Sequence, residues 1–263
     1  MTKAMTTTTR NPAMLAKIAA LLFAGLCFAG LSASIGIARA EEGGGLEPAN
    51  VHMDDIASMQ RGARLFFNYC SGCHSLQYLR YSRIAEDLQL DPKDVEKSFV
   101  FTGGKITDHA IANMPPEQAT TWFGKAPPDL SLEARAKGSD WIYSYLKSFY
   151  LDPSRPLGWN NTVFANASMP NPLWQLQGQQ VAVLKPAEAG KDPQIEKLQL
   201  RAPGSQTPEE FDRTARDITA FLQYAGEPAA LKREAMGIWV LLYLALFTFI
   251  AWLLKHEFWK DVH

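Results

Sequence analysis

The chain has 263 residues, 47% of them hydrophobic and 20% charged, with a formal net charge of −1. Those proportions fit a globular protein with a membrane segment added, and with no Lys/Arg run they exclude disorder and a nucleic-acid binder. The length leaves room for one large domain or two small ones.

In chain order, the first segment carries Lys3, Arg10, Lys17 and Arg39 and no acid up to Ala40. Its apolar part, from about Ile18 to Leu31, is roughly 14 residues long, short of the ~20 needed to cross a bilayer. Ala38-Arg39-Ala40 then gives a small-x-small exit before Glu41. A charged start, a short apolar middle and a small-residue exit predict a signal peptide over 1–40, removed on export together with Cys27.

Residues 41–231 form the expected head, a domain of about 190 residues in which acids outnumber bases by six. An acidic head attracts a basic partner by long-range steering that salt weakens. Glu41-Glu42, Asp54-Asp55 and Glu86-Asp87 are candidate docking clusters. Asp54 or Asp55 can cap a helix whose apolar positions Ile56, Met59, Ala63, Phe66 and Phe67 recur at helical spacing and which leads into Cys70. A further helix is expected over Trp141 to Phe149. Proline-rich stops lie at Pro115-Pro116, Pro127-Pro128, Pro153 to Pro156 and Pro170 to Pro172. Alternation at Val181, Val183, Leu198 and Leu200 allows a small hairpin around Lys185 to Pro193. Thr207-Pro208-Glu209-Glu210 reads as a capping box with proline at the first helical position, followed by Phe211, Ala215, Ile218, Leu222 and Ala225 on one face. The two terminal helices of the head are expected to pack together, with Gly62 permitting close approach.

The last segment, Met236 to Leu254, is uncharged and apolar. At ~1.5 Å per residue it is long enough for a ~30 Å hydrocarbon core. Lys232 and Arg233 bracket one end, and Lys255, His256 and Lys260 the other. Residues 232–263 are therefore read as a transmembrane anchor with a short cytoplasmic tail. An exported head then lies on the opposite side.

Cys70-Ser71-Gly72-Cys73-His74 is a C-x-x-C-H haem attachment motif. Two thiols three positions apart can each add to one vinyl group of a haem, and His74 then offers its imidazole to the iron. A thioredoxin-like pair needs a βαβ context that is lacking, and His52 and His109 have no spacing that would complete a zinc site. A sixth ligand separates electron transfer from ligand chemistry, and a methionine raises the potential and closes the iron. Met53 and Met59 belong to the incoming helix region. Met114 and Met169 each precede proline in an irregular stretch, and spacing alone does not choose between them.

RGARLFFNYCSGCHSLQYLRYSR at 61–83, APPDLSLEARAKGSDWIYSYL at 126–146, ASMPNPLWQLQG at 167–178 and Ala-Gly-Glu-Pro at 225–228 before the anchor together resemble the cytochrome c1 family, the haem-bearing subunits of the ubiquinol–cytochrome c oxidoreductase (bc1) complex. The resemblance covers nearly all of 50–263. It implies a mainly α, loop-rich c-type cytochrome head with a small β-hairpin insertion and one C-terminal transmembrane helix. It implies one covalent haem c with His74 and Met169 as iron ligands, Pro127-Pro128 beside His74 with a carbonyl for the second imidazole nitrogen, and Arg135 toward a propionate. The implied partners are cytochrome b, the Rieske iron–sulfur protein as donor and a soluble cytochrome c as acceptor, in a multi-subunit dimeric complex of a bacterial inner membrane with the haem domain in the periplasm. By this reading the chain is an electron carrier and not itself an enzyme. The rivals are a tethered cytochrome of another respiratory chain, a haem enzyme with an open iron site, and a haem-based sensor.

Overall fold

The computed structural model describes residues 45–186 and 194–261. The expected signal peptide over 1–40 and the tip of the expected hairpin lie outside them. The head runs α1 (Ile56–Tyr69), β1 (Leu76–Arg80), α2 (Tyr81–Asp87), α3 (Pro92–Phe99), β2 (His109–Ala110), α4 (Pro116–Phe123), α5 (Glu133–Lys137), α6 (Ser139–Lys147), β3 (Phe149–Leu151), β4 (Trp159–Asn161), α7 (Trp174–Gln177), β5 (Gly178–Leu184), β6 (Ile195–Pro203) and α8 (Pro208–Gly226), followed by α9 (Ala230–Phe258). Helices and loops dominate, as the sequence implies.

Each end of the head is closed by a helix with a strong start signal. Asp55 accepts from the Ser58 amide at 2.9 Å and begins α1. Thr207 and Glu210 form the reciprocal capping box of α8, with Pro208 at the first turn. These helices pack face to face: Met59, Ala63, Phe66 and Phe67 meet a face carrying Ala215, Ile218 and Phe221, all buried. The crossing is close because Gly62 lies against the α8 backbone, where a Cβ would fall 1.9 Å from the Asp217 carbonyl oxygen. Asp217, only 4% exposed, accepts from Ser58 Oγ at 2.6 Å and from the Arg61 guanidinium at 2.6 and 2.8 Å. A buried carboxylate needs such donors, so this trio fixes the register of the two helices as well as neutralising the charge. Phe67 extends the core by stacking on Phe99 of α3 at 4.6 Å.

The expected hairpin is present as β5 and β6, antiparallel with Gly178 opposite Pro203 and Leu184 opposite Ile195. It is part of a larger four-stranded sheet in the order β4-β3-β5-β6. β3 pairs antiparallel with β4 and parallel with β5. The helix expected to reach Phe149 stops at Lys147. Ser148 Oγ donates to Asn161 Oδ1 at 2.9 Å, and Phe149 pairs with Asn161, so the chain leaves the helix for the sheet at that point.

Of α9, the most apolar 18-residue stretch within Met236–Phe258 has a mean hydropathy of 2.3, and none of that stretch is buried against the head. Its length and composition suit a membrane crossing. Helical geometry begins at Ala230, slightly before the expected anchor, and Lys232 reaches Glu86 at 3.4 Å.

Candidate functional site

The C-x-x-C-H segment is a tight turn that continues α1. The Cys70 amide still donates to Phe66 O at 2.8 Å, and the Cys73 and His74 amides fold back on Cys70 O at 3.0 and 2.9 Å. Ser71 Oγ caps Phe67 O at 2.7 Å. This folding brings both thiols and the imidazole to one cavity of about 580 Å³, which also takes in Pro127, Pro128, Trp141, Tyr145 and Met169. That volume lies within the ~300–1,000 Å³ usual for cofactor and small-molecule sites. The Cys70 thiol is buried, and burial, with Cys73 beside it, pushes its pKa up to about 12. Burial also raises the Cys73 thiol. Thiols raised in this way stay protonated at neutral pH.

His74 is 9% exposed and lies 2.8 Å from the Pro128 carbonyl through Nδ1. A carbonyl only accepts, so Nδ1 carries the hydrogen and Nε2 keeps its lone pair. Burial lowers the His74 pKa against the opposing pull of Pro128, Asp129 and Glu133, which keeps the ring neutral. The carbonyl is itself held in place. Asp129 accepts from the Gln77 and Ser131 amides at 2.8 and 2.9 Å, and the Leu130 amide donates to Ser75 O at 2.9 Å. The segment after His74 and the segment after Pro128 are thus laced side by side, and the imidazole cannot rotate without losing its partner.

The loop bearing Met169 is ordered from beneath by asparagines. Asn161 Oδ1 accepts from the Val163 and Phe164 amides at 2.9 and 3.1 Å, while its amide donates to Tyr145 O at 2.9 Å. Asn160 Oδ1 accepts from the Asn166 amide at 2.8 Å, and Asn166 takes a left-handed φ of 62°. On the far side Asn171 binds the Leu173 amide and Gln177 at 2.9 Å each. Tyr145, whose phenol burial pushes up to about 12, donates to Met169 Sδ at 3.6 Å.

Of the other candidates, Met59 is fully buried in the core, Met53 packs against that core, and Met114 is half-buried and does not line the cavity. Arg135, on α5, does not line it either: its side chain is 59% exposed and pairs with Glu227 at 3.5 Å. Lys125 and Lys137 stand at the cavity instead, with Lys137 Nζ 5.5 Å from the centroid of the Trp141 ring. Tyr145, the three asparagines and the two lysines were not singled out from sequence. A signal that could have found the asparagines is their density, with proline, from Asn160 to Pro172.

An apolar cavity with a neutral imidazole lone pair, a thioether and two adjacent thiols suits a porphyrin iron. On a head continuous with one membrane-length helix, this defines a c-type cytochrome with a membrane anchor. The chain belongs to the cytochrome c1 family: the sequence model of the "Cytochrome C1 family" matches residues 49–262. It is similar to cytochrome c1 of Allochromatium vinosum, 50% identical over 84% of this chain and 92% of that protein. It is also similar to a protein named ammonia monooxygenase gamma subunit from Nitrosomonas europaea, 40% identical over 83% of this chain and 89% of that one. The mitochondrial cytochrome c1 haem protein of Saccharomyces cerevisiae is 27% identical over 79% of this chain and 68% of its own length. Membership of this family implies haem c and a role in electron transport.

Proposed function

We propose that the chain is the cytochrome c1 subunit of a bc1 complex, taking electrons from the Rieske iron–sulfur protein and passing them to a soluble cytochrome c. One haem c, held by thioethers from Cys70 and Cys73, supplies a one-electron couple at the iron. Cleavage after residue 40 releases the head, residues 41–231, into the periplasm of a bacterial inner membrane. Residues 232–263 anchor it beside cytochrome b in a dimeric multi-subunit assembly.

The chain's own residues do four things in this scheme. His74 binds through Nε2 and is oriented by its Nδ1–H bond to Pro128, a bond that also raises the ring's basicity toward a metal. Met169 would offer its thioether to the iron and so keep exogenous molecules from it. Trp141, Tyr145, Phe164 and the proline pair exclude water, which limits the reorganisation that accompanies each change of charge. Lys125 and Lys137, which line the cavity, would hold the propionates, and Arg135 would join them only by leaving Glu227. The bound haem would take one electron from a reduced iron–sulfur centre and give one to the ferric haem of the acceptor, and the side chains would transfer no group or proton.

The observation that carries this reading is the 2.8 Å contact from His74 Nδ1 to Pro128 O in the cavity that also holds Met169. The test is purification of a tagged full chain from its native membrane, followed by quinol addition. Co-purification with a b-type cytochrome and an iron–sulfur protein is expected, with haem c reduction that stops when the iron–sulfur protein is removed. A chain isolated without them, or reduced equally fast in their absence, contradicts the reading.

A further inference from the structure

The ring of Tyr145 is clamped: it stacks on Trp141 at 4.9 Å and meets Phe149 edge-on at 4.9 Å. Its backbone carbonyl is fixed as well, by the Asn161 side-chain amide at 2.9 Å. With ring and backbone held, the hydroxyl has little freedom, and it is directed at Met169 Sδ, 3.6 Å away. A thioether is a weak acceptor, and buried phenols ordinarily find an oxygen. Packing alone gives no reason to spend a buried hydroxyl on sulfur.

We propose that Tyr145 is a positioning residue for Met169, its O–H occupying the sulfur lone pair that a metal does not use and so setting the strength of the sulfur as a ligand. This rests on the reading of Met169 as the axial ligand. Two effects act with the same sign. Donation of a hydrogen bond draws electron density from the sulfur, and the ferric state, which depends more on that density, loses more than the ferrous state. The positive end of the O–H dipole, directed at Met169 Sδ, also disfavours the more highly charged oxidised state of an iron held by that sulfur. Both effects favour the reduced form and raise the potential. Both also make the ferric sulfur–iron bond easier to displace. Hydrogen bonding around the first ligands is one of the means by which a protein tunes a metal centre.

The test uses the purified holoprotein and Tyr145→Phe, which keeps the ring and its stacking. Two quantities are read: the midpoint potential by redox titration, and the imidazole concentration that bleaches the ferric sulfur-to-iron charge-transfer band. The Phe variant is expected to have a lower potential and to need more imidazole. An unchanged potential with an unchanged imidazole midpoint, or a raised potential, overturns the proposal. Tyr145→Leu separates packing from hydrogen bonding: if Leu shifts both quantities and Phe shifts neither, the ring alone matters and the proposal fails. A wild-type ferric protein lacking the band refutes Met169 as ligand and this proposal with it. A band that is present while the Phe variant behaves as wild type refutes this proposal alone.

Discussion

Replacing Gly62 by Ala tests the contact that brings α1, which leads into Cys70, against α8. The new Cβ would lie 1.9 Å from the Asp217 carbonyl oxygen, 2.6 Å from its carbon and 2.8 Å from Phe221 Cβ. The first two are main-chain atoms of a helix, so no side-chain rotation can clear them. Reaching the 3.4 Å of ordinary contact moves the helices apart by about 1.5 Å. A gap of 0.5–1 Å already forfeits about a quarter to a half of the dispersion energy of each contact it opens. It would act on Met59, Phe66, Ile218 and Phe221, all fully buried. Overpacking costs about 1–3 kcal/mol and occasionally more, and a main-chain clash belongs at the upper end. Alanine returns about 1 kcal/mol through helix propensity. The net expectation is a loss of about 2–3 kcal/mol, which for a domain of this size lowers Tm by roughly 4–12 °C. Thermal unfolding of the detergent-solubilised holoprotein, followed by far-ultraviolet circular dichroism, measures it. An unchanged or raised Tm, the result propensity alone predicts, would refute the reasoning.

The two methionines that sequence leaves open are separable by their haem spectra. Met169→Ala is expected to lose the sulfur–iron band and to bind carbon monoxide when reduced, whereas Met114→Ala keeps the wild-type spectrum; the reverse pattern moves the ligand to Met114. A second prediction concerns acid stability. Burial raises the Asp212 carboxyl, but hydrogen bonds from Lys147, at 2.8 Å, and Tyr143, with the Lys147 and Arg216 charges, outweigh it and hold its pKa below the ordinary 3.8. A carboxyl depressed in the folded state contributes stability that is present above its unfolded value and is lost as pH falls through the folded one. Below about pH 3.8 the wild-type Tm should therefore fall more steeply than that of Asp212→Asn; parallel slopes would remove Asp212 from the account.

How much of this was legible depended on whether a residue's partner lies nearby in sequence. The start of α1 at Asp55 and the capping box at Thr207 are local devices, and both stand where the apolar periodicity places them. Gly62 was readable as a close-approach site because a glycine inside an apolar helical face has few other uses. β3 and β4 were not legible: three residues each cannot display a period of two, and β3 takes its parallel partner from β5. The site divides in the same way. Cys70, Cys73 and His74 form one local motif, while the carbonyl that orients His74 lies 54 positions away and was reached only through the family resemblance. Asn160, Asn161 and Tyr145 look like ordinary surface or core residues in sequence, because their significance is the direction of one polar group. Arg135, too, was reached only through the resemblance, and in this structure it pairs with Glu227.

Whether a porphyrin is joined to the chain at Cys70 and Cys73 is read by intact-mass spectrometry of the purified mature protein after extraction with acidified organic solvent. The protein is expected to keep the added mass of one haem, and a proteolytic fragment spanning Cys70 to His74 to carry it. A protein that surrenders all its porphyrin to the solvent, or a haem mass on any other fragment, would contradict that attachment.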